Sequence, residues 1–193
     1  MKEYSDAIQE MRQIISHYDN IVFFGGAGVS TESGIPDFRS VDGLYHQQYD
    51  YPPETILSHS FYRRNTMEFY RFYRNKMFYP NAKPNSAHIK LAELEQHGKL
   101  RAVITQNIDG LHQMAGSKNV LELHGSIHRN YCEKCNAFYD GTYIMNSTDI
   151  PTCQKDGCNG SIKPDVVIIS STSKFIISNC AFIFQLLLCI NYL

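Results

Sequence analysis

The sequence predicts an α/β protein in which a parallel sheet flanked by helices is interrupted by a small cysteine-rich module. Three observations carry this. A wholly apolar run, Ile21-Val22-Phe23-Phe24, leads directly into Gly25-Gly26-Ala27-Gly28. A second strand-like run, Arg101-Ala102-Val103-Ile104-Thr105, follows a segment of helical periodicity, and strand alternating with helix is the pattern of a parallel sheet. Four of the six cysteines fall in two close pairs.

Taken in order, residues 5–16 place Ile8, Met11, Ile14 and Ile15 on one helical face, with Ser5 as the expected N-cap. The run at 21–24 reads as a strand buried on both faces, and a helix is expected to start near Val29. Residues 41–53, rich in Tyr, Gln, Gly and Pro, show no period and read as a long loop, a kind usually functional or mobile. Residues 61–78 carry Phe61, Met67, Phe69, Tyr70, Phe72, Tyr73 and Met77 among charged residues, which predicts helices with aromatic core faces. Residues 85–97 predict a further amphipathic helix stopped by Gly98. No internal repeat or low-complexity tract is present.

Composition narrows the function classes. Hydrophobic residues at 43% and charged residues at 19% exclude global disorder. Eighteen Lys and Arg against 19 Asp and Glu leave a net charge of −1, without the basic excess that neutralises phosphates, so no nucleic-acid partner is expected. The first twenty residues are interrupted by charge throughout and hold no signal-peptide core. A cytoplasmic location follows as an expectation, and in that reducing compartment cysteines read first as metal ligands or buried thiols.

Cys132-x-x-Cys135 and Cys153-x4-Cys158, with residues 136–152 between the pairs, form a zinc pattern. Each pair makes a knuckle that offers two thiolates, and four thiolates fill a tetrahedral Zn²⁺ with no position left for water, so the metal would be structural. Cys180 and Cys189 have no such spacing and receive no role. The glycine turn is a weaker signal: Gly26-Ala27-Gly28 gives half of a dinucleotide fingerprint, but Thr31 stands where its third glycine would be. Backbone N–H groups there could meet a pyrophosphate, with a plain tight turn as the alternative. An acidic residue about twenty positions on falls near Asp50, in a loop, which argues against ordinary ribose recognition.

The segment 26–39, GAGVSTESGIPDFR, followed by Thr105-Gln106-Asn107-Ile108-Asp109-Gly110-Leu111-His112 and Leu123-His124-Gly125, resembles the sirtuins, the NAD-dependent protein lysine deacylases, and most resembles their bacterial members. The likeness runs from about Ile21 through Val167 and takes in the cysteine quartet and Lys163-Pro164-Asp165. It implies a Rossmann-like parallel sheet with a zinc-binding insert. Residues 1–129 would form the first part of the NAD-binding domain, with a helical insertion at about 45–80. Residues 130–162 would be the zinc module, and 163–167 the return to the α/β domain.

The resemblance also implies residue roles. Gly26, Ala27 and Gly28 would line the NAD phosphates, with Asp37 in the same cofactor motif. Arg39 would add a fixed positive charge, and Phe38 would cover the nicotinamide ribose and exclude water. Gln106, Asn107, Ile108 and Asp109 would stand at a strand's carboxyl end and face the nicotinamide and its ribose. His124 would be the general base, since an imidazole titrates near neutrality and can accept a ribose hydroxyl proton; the other seven histidines are expected to be solvated or packed. On this chemistry the acyl oxygen of an acetylated protein lysine attacks C1′ of the ribose and nicotinamide departs. His124 then helps a ribose hydroxyl attack the adduct. NAD is consumed, and the products are nicotinamide, acetyl-ADP-ribose and free lysine. Relatives that remove acidic acyl groups carry Tyr-x-x-Arg; here Tyr70-Arg71-Phe72-Tyr73 has Tyr at the Arg place, which points to an uncharged acyl group, with Arg74 the nearby cation.

After Val167 the family pattern would continue with a Gly-Glu loop and further strands and helices. No such pattern follows, so the C-terminal part of the sheet is expected to be missing. Residues 168–193 read as an aberrant apolar tail of out-of-frame or read-through coding. Its rival is a membrane anchor, because residues 175–193 carry no charge and approach the length of a spanning helix, about 20 residues. Ser178, Asn179, Gln185 and Asn191 count against that, and no membrane partner is favoured. A second function class stays open on this reading, a zinc-containing fragment that keeps the fold without turnover, and the chain by itself is expected to have little activity.

Overall fold

The computed structural model describes residues 2–37 and 50–166. Phe38, Arg39, most of the expected loop, Val167, Cys180, Cys189 and the tail at 168–193 lie outside the described residues.

The chain opens with helix α1 (Lys2–His17), three residues before the expected Ser5 cap, and continues into strand β1 (Ile21–Gly25). Strand β2 (Leu100–Thr105) lies beside β1, and β3 (Val120–Glu122) lies beside β2, all parallel, in the order β1-β2-β3. Crossover helices supply the connections, as a parallel sheet requires. Helix α5 (Ser86–Gln96) precedes β2, and the short α6 (Leu111–Ala115) links β2 to β3. Asn85 caps α5 by accepting from the backbone N–H groups of Ala87 and His88, and Gly98, at φ 72°, turns the chain out of it. These are local signals, and they act where the sequence placed them.

Two expectations about the sheet need correction. β1 is not buried on both faces: Phe24 is 49% exposed, and among the described residues β1 stands at the edge of the sheet. The helix expected near Val29 is a 3₁₀ helix, Ala27–Ser33, whose N-cap is Gly26 without a side-chain cap bond. A 3₁₀ turn of this length presents fewer aligned peptide dipoles than a full α-helix, so the backbone N–H groups matter more than a macrodipole.

The aromatic segment breaks into α2 (Pro53–Ile56), α3 (His59–Arg64) and α4 (Thr66–Lys76), with Pro53 at the first helical position of α2. The break between α3 and α4 falls at Asn65, whose ψ of 53° is not helical. Phe61, Tyr62, Phe69, Tyr70, Phe72 and Tyr73 are buried, together with Met77 and Phe78. They pack against Ile127, Ile144 and Ile162, residues of the second sheet and its helix. That sheet is antiparallel, in the order β5-β4-β6: β4 (Gly125–Cys132), β5 (Phe138–Tyr139) and β6 (Ile162–Val166), with α7 (Gly141–Asn146) after β5. The helical segment and the cysteine module therefore share one core.

Candidate functional site

The residues singled out from the sequence converge at the carboxyl ends of β1, β2 and β3. Gly26 to Gly28 leave β1, Gln106 to Asp109 leave β2, and His124 follows β3. The strands run in register, Gly25 beside Thr105 and Thr105 beside Glu122, so three loops distant in sequence open at one level.

A polar network ties these loops together. The Ser30 hydroxyl donates to Asp109 Oδ2 at 2.7 Å, and Asn107 Nδ2 donates to Ser30 Oγ at 3.0 Å. The other Asp109 oxygen accepts from the Leu111 N–H at 2.9 Å. Asp109 thus spends both oxygens on holding the 3₁₀ helix and the start of α6. Thr105 Oγ1 accepts from the Asn107 N–H at 3.0 Å, and the Gln106 N–H donates to Gly25 O at 3.0 Å. Ile108, half-buried, packs against the aromatic core. Asp37 is half-buried at the end of the described N-terminal part, and Phe38 and Arg39 lie beyond it.

His124 Nδ1 lies 3.1 Å from Gln106 O. A carbonyl only accepts, so Nδ1 carries the proton and the lone pair of a neutral ring is left on Nε2. The turn depends on Gly125, at φ 78°: a Cβ there would stand 1.9 Å from Asp165 O, so no other residue fits this approach of β4 to β6.

Sequence reasoning gave no role to Ser30, Asn85 or His88. Ser30 is 1% exposed and joins the loops; Asn85 Nδ2 reaches Val29 O at 2.7 Å and Ser33 Oγ at 3.1 Å, pinning the 3₁₀ helix to α5. His88 and His112 are buried with ring centroids 4.6 Å apart. Burial pushes both imidazoles down, His112 to about 4 with the neighbouring His88 adding to the effect. The cap that Asn85 makes and its reach to residues 29–33 appear only in the structure, where α5 meets the 3₁₀ helix.

Cys132, Cys135, Cys153 and Cys158 come together with all four Sγ atoms within 4.8 Å of one another. Two of the pairs, Cys132 with Cys158 and Cys135 with Cys153, stand at 3.6 Å. A tetrahedral zinc with Zn–S bonds of about 2.3 Å sets its sulfurs about 3.8 Å apart, so this donor set fits Zn²⁺ closed to water. The loops that carry the thiols are shaped for that approach. A Cβ on Gly160 would stand 2.7 Å from Cys132 Sγ, and the Lys134 N–H points at the same sulfur at 3.4 Å. The Tyr139 hydroxyl donates to Cys153 Sγ at 3.1 Å and lowers that thiol to about 6, favouring the thiolate a metal binds.

Arg74, the cation near the expected acyl position, is engaged elsewhere: its guanidinium donates to Ser147 Oγ, Asp149 O and Thr148 O at 2.8–3.0 Å. Tyr70 and Tyr73 are fully buried, and the Tyr70 hydroxyl donates to Ile162 O. Among the described residues no helix is long and apolar enough to cross a membrane.

Comparison with known proteins places this geometry. A sequence model of the Sir2 family matches residues 26–180. The NAD-dependent protein deacetylase of Clostridium perfringens is 59% identical over 165 residues, which are 84% of this chain and 67% of that protein. Among solved structures, a Sir2 enzyme described with a p53 peptide and NAD+ superposes with a TM-score of 0.69 at 42% identity, covering 84% of this chain and 64% of that one. Another, Sir2 bound to acetylated peptide, gives 0.69 at 39% identity, covering 84% and 64%. The chain spans about two thirds of the length of the proteins it matches. With the family's sequence pattern over most of its length and the same fold at this identity, the chain belongs to the Sir2 family.

Proposed function

We propose that the protein removes acetyl groups from protein lysines at the expense of NAD and one water, giving nicotinamide, acetyl-ADP-ribose and free lysine. The observation that carries the reading is the bond from His124 Nδ1 to Gln106 O, which ties the ring to the loop that carries Asn107 and Asp109 and leaves Nε2 as an acceptor. NAD, when bound, supplies an activated C1′ on the nicotinamide ribose. The chain's own residues do the rest. Gly26, Ala27 and Gly28 offer backbone to the phosphates, with Asp37, Phe38 and Arg39 belonging to the same cofactor motif. Gln106, Asn107, Ile108 and Asp109 shape the nicotinamide side, with Asp109 acting through Ser30 and Leu111. His124 accepts the ribose hydroxyl proton at Nε2. The names of the relatives, NAD-dependent protein deacetylases, support this reading.

The zinc held by the four cysteines supplies no chemistry in this scheme; it orders the module that shares its core with α3 and α4. Tyr73 is buried and the Arg74 guanidinium is engaged by Ser147, Thr148 and Asp149, so neither position offers a free cation to an acidic acyl group, which supports a preference for acetyl or another uncharged acyl group.

The test is His124→Ala in a chain completed after Val167 with the C-terminal part of a bacterial relative, assayed with NAD and an acetyl-lysine peptide. Loss of a positioned general base should lower turnover by about 10²–10⁴ while thermal unfolding stays unchanged. Turnover by the variant equal to that of the completed chain overturns the assignment, and faster turnover of a succinyl-lysine peptide by the completed chain overturns the acyl preference.

A further inference from the structure

The chain leaves β3 at Glu122, passes through Leu123 and His124, and enters β4 at Gly125. β4 then pairs with β6, Gly125 beside Val166 and Ser126 beside Asp165, until the register slips and pairing resumes at Asn130 beside Pro164. Ile127, His128 and Arg129 form the bulge between. Bulges re-aim side chains, and from this one the Ile127 backbone and the His128 ring meet the loop after β2, while Arg129 turns to β3 and β6. The Ile127 N–H donates to Ile108 O at 3.1 Å, and His128 Nε2 lies 3.0 Å from Asp109 O. Arg129 reaches in the other direction: Nη1 donates to Glu122 Oε2 at 2.5 Å and Nε donates to Asp165 Oδ2 at 2.9 Å.

The Glu122 side chain is only 7% exposed, against 38% for Arg129 and 46% for Asp165. A carboxylate so nearly buried must be paired, and among the described residues its partner is Arg129. The two acids stand on either side of the His124 turn, Glu122 at the end of β3 and Asp165 in the strand against which Gly125 closes. Only a planar fork can hold two carboxylates from separate strands at once; a lysine ammonium would serve one of them well and the other poorly.

We infer that Arg129 is a positioning residue for His124, clamping the two carboxylates that flank the histidine turn so that the ring keeps Nδ1 on Gln106 O. The inference rests on the functional reading for the role of His124, while the clamp itself is geometry. Without the guanidinium, Glu122 and Asp165 repel, the turn slackens, and the imidazole loses the contact that selects its tautomer.

The experiment is long-range ¹H–¹⁵N correlation of the His124 imidazole at about pH 8, above the ordinary histidine range. It compares the unmodified protein with Arg129→Gln, Arg129→Lys and the double variant Glu122→Gln/Arg129→Gln, with thermal unfolding and zinc content as controls of folding. The unmodified protein should hold His124 with its proton on Nδ1. Arg129→Gln should move the tautomer ratio toward Nε2–H roughly fivefold, the equilibrium equivalent of one hydrogen bond of about 1 kcal/mol, with Arg129→Lys in between. Should Arg129→Gln fail to fold, the double variant decides, because it removes the unpaired buried charge and leaves the clamp absent. A folded variant of either kind that keeps the original tautomer overturns the inference. This signal does not depend on turnover, so it separates failure of the clamp from failure of the deacetylase reading.

Discussion

The two halves of the molecule are held together by different physics. In the half built from α2, α3, α4, α7 and the antiparallel sheet, aromatic rings pack edge to face around Tyr62, Phe69, Tyr70 and Tyr73, all 2% exposed or less, and four thiols close the far end. In the parallel-sheet half, β1 leaves Phe24 49% exposed, and α1 leaves Ile8, Met11 and Ile14 at 41%, 63% and 48%. Here the loops of the site are joined by Ser30, Asn107, Asp109 and Asn85, through polar contacts between residues far apart in the chain. Dense apolar burial gives one half its stability, and directional bonds give the other its geometry. Such bonds add modestly to stability but define positions closely.

That contrast can be broken or sharpened by experiment. The largest effect should come from Cys132→Ala or Cys153→Ala, which should lose the bound metal, about one zinc per chain, and unfold the cysteine module. Metal analysis with amide exchange reads both, and unchanged zinc content would remove the site. Next, Phe69→Ala in the aromatic core should cost about 3–5 kcal/mol, whereas Phe24→Ala on the open strand should cost less than about 1 kcal/mol. Equal losses in denaturant melts would erase the distinction between the halves.

A smaller effect concerns pH. His112 titrates near 4 when folded against a usual 6.5, so between those values the unfolded chain binds more protons and stability rises with pH. Acidification from about 6.5 toward 4 should therefore weaken the protein by up to roughly 1.4 kcal/mol per pH unit from this group. His112→Phe should flatten that limb, since neither ring nitrogen has a hydrogen-bond partner to lose among the described residues. An unchanged slope would assign the acid sensitivity elsewhere. The smallest effect should be Tyr139→Phe, which removes the donor to Cys153 Sγ and should weaken zinc binding about tenfold by competition with a chelator. Affinity equal to the unmodified protein would show that the hydroxyl does not tune the metal.

What could be read from the sequence was what depends on short spans. The strand runs at 21–24 and 101–105, the helix at 85–97 with its Gly98 stop and the paired cysteines each depend on a few residues, and each stands in the structure where its local chemistry required. The residues proposed for the site could be named as motifs too, because loops at strand ends keep their chemistry in contiguous stretches. What only the tertiary structure decided is how those stretches meet. Ser30 and Asp109 are 79 positions apart, and no local pattern announces that one will bind the other. Ile21-Val22-Phe23-Phe24 looked buried by composition, but exposure depends on which strands flank it, and β1 is an edge of the described sheet. Arg74 stood nearby as a cation until residues 147–149, after α7, supplied three oxygens, and Arg129, in the bulge of β4, gained one carboxylate from β3 and one from β6 only where those strands meet. Local sequence selects a conformation among few alternatives; contact between distant segments is settled by packing, where every element limits the others.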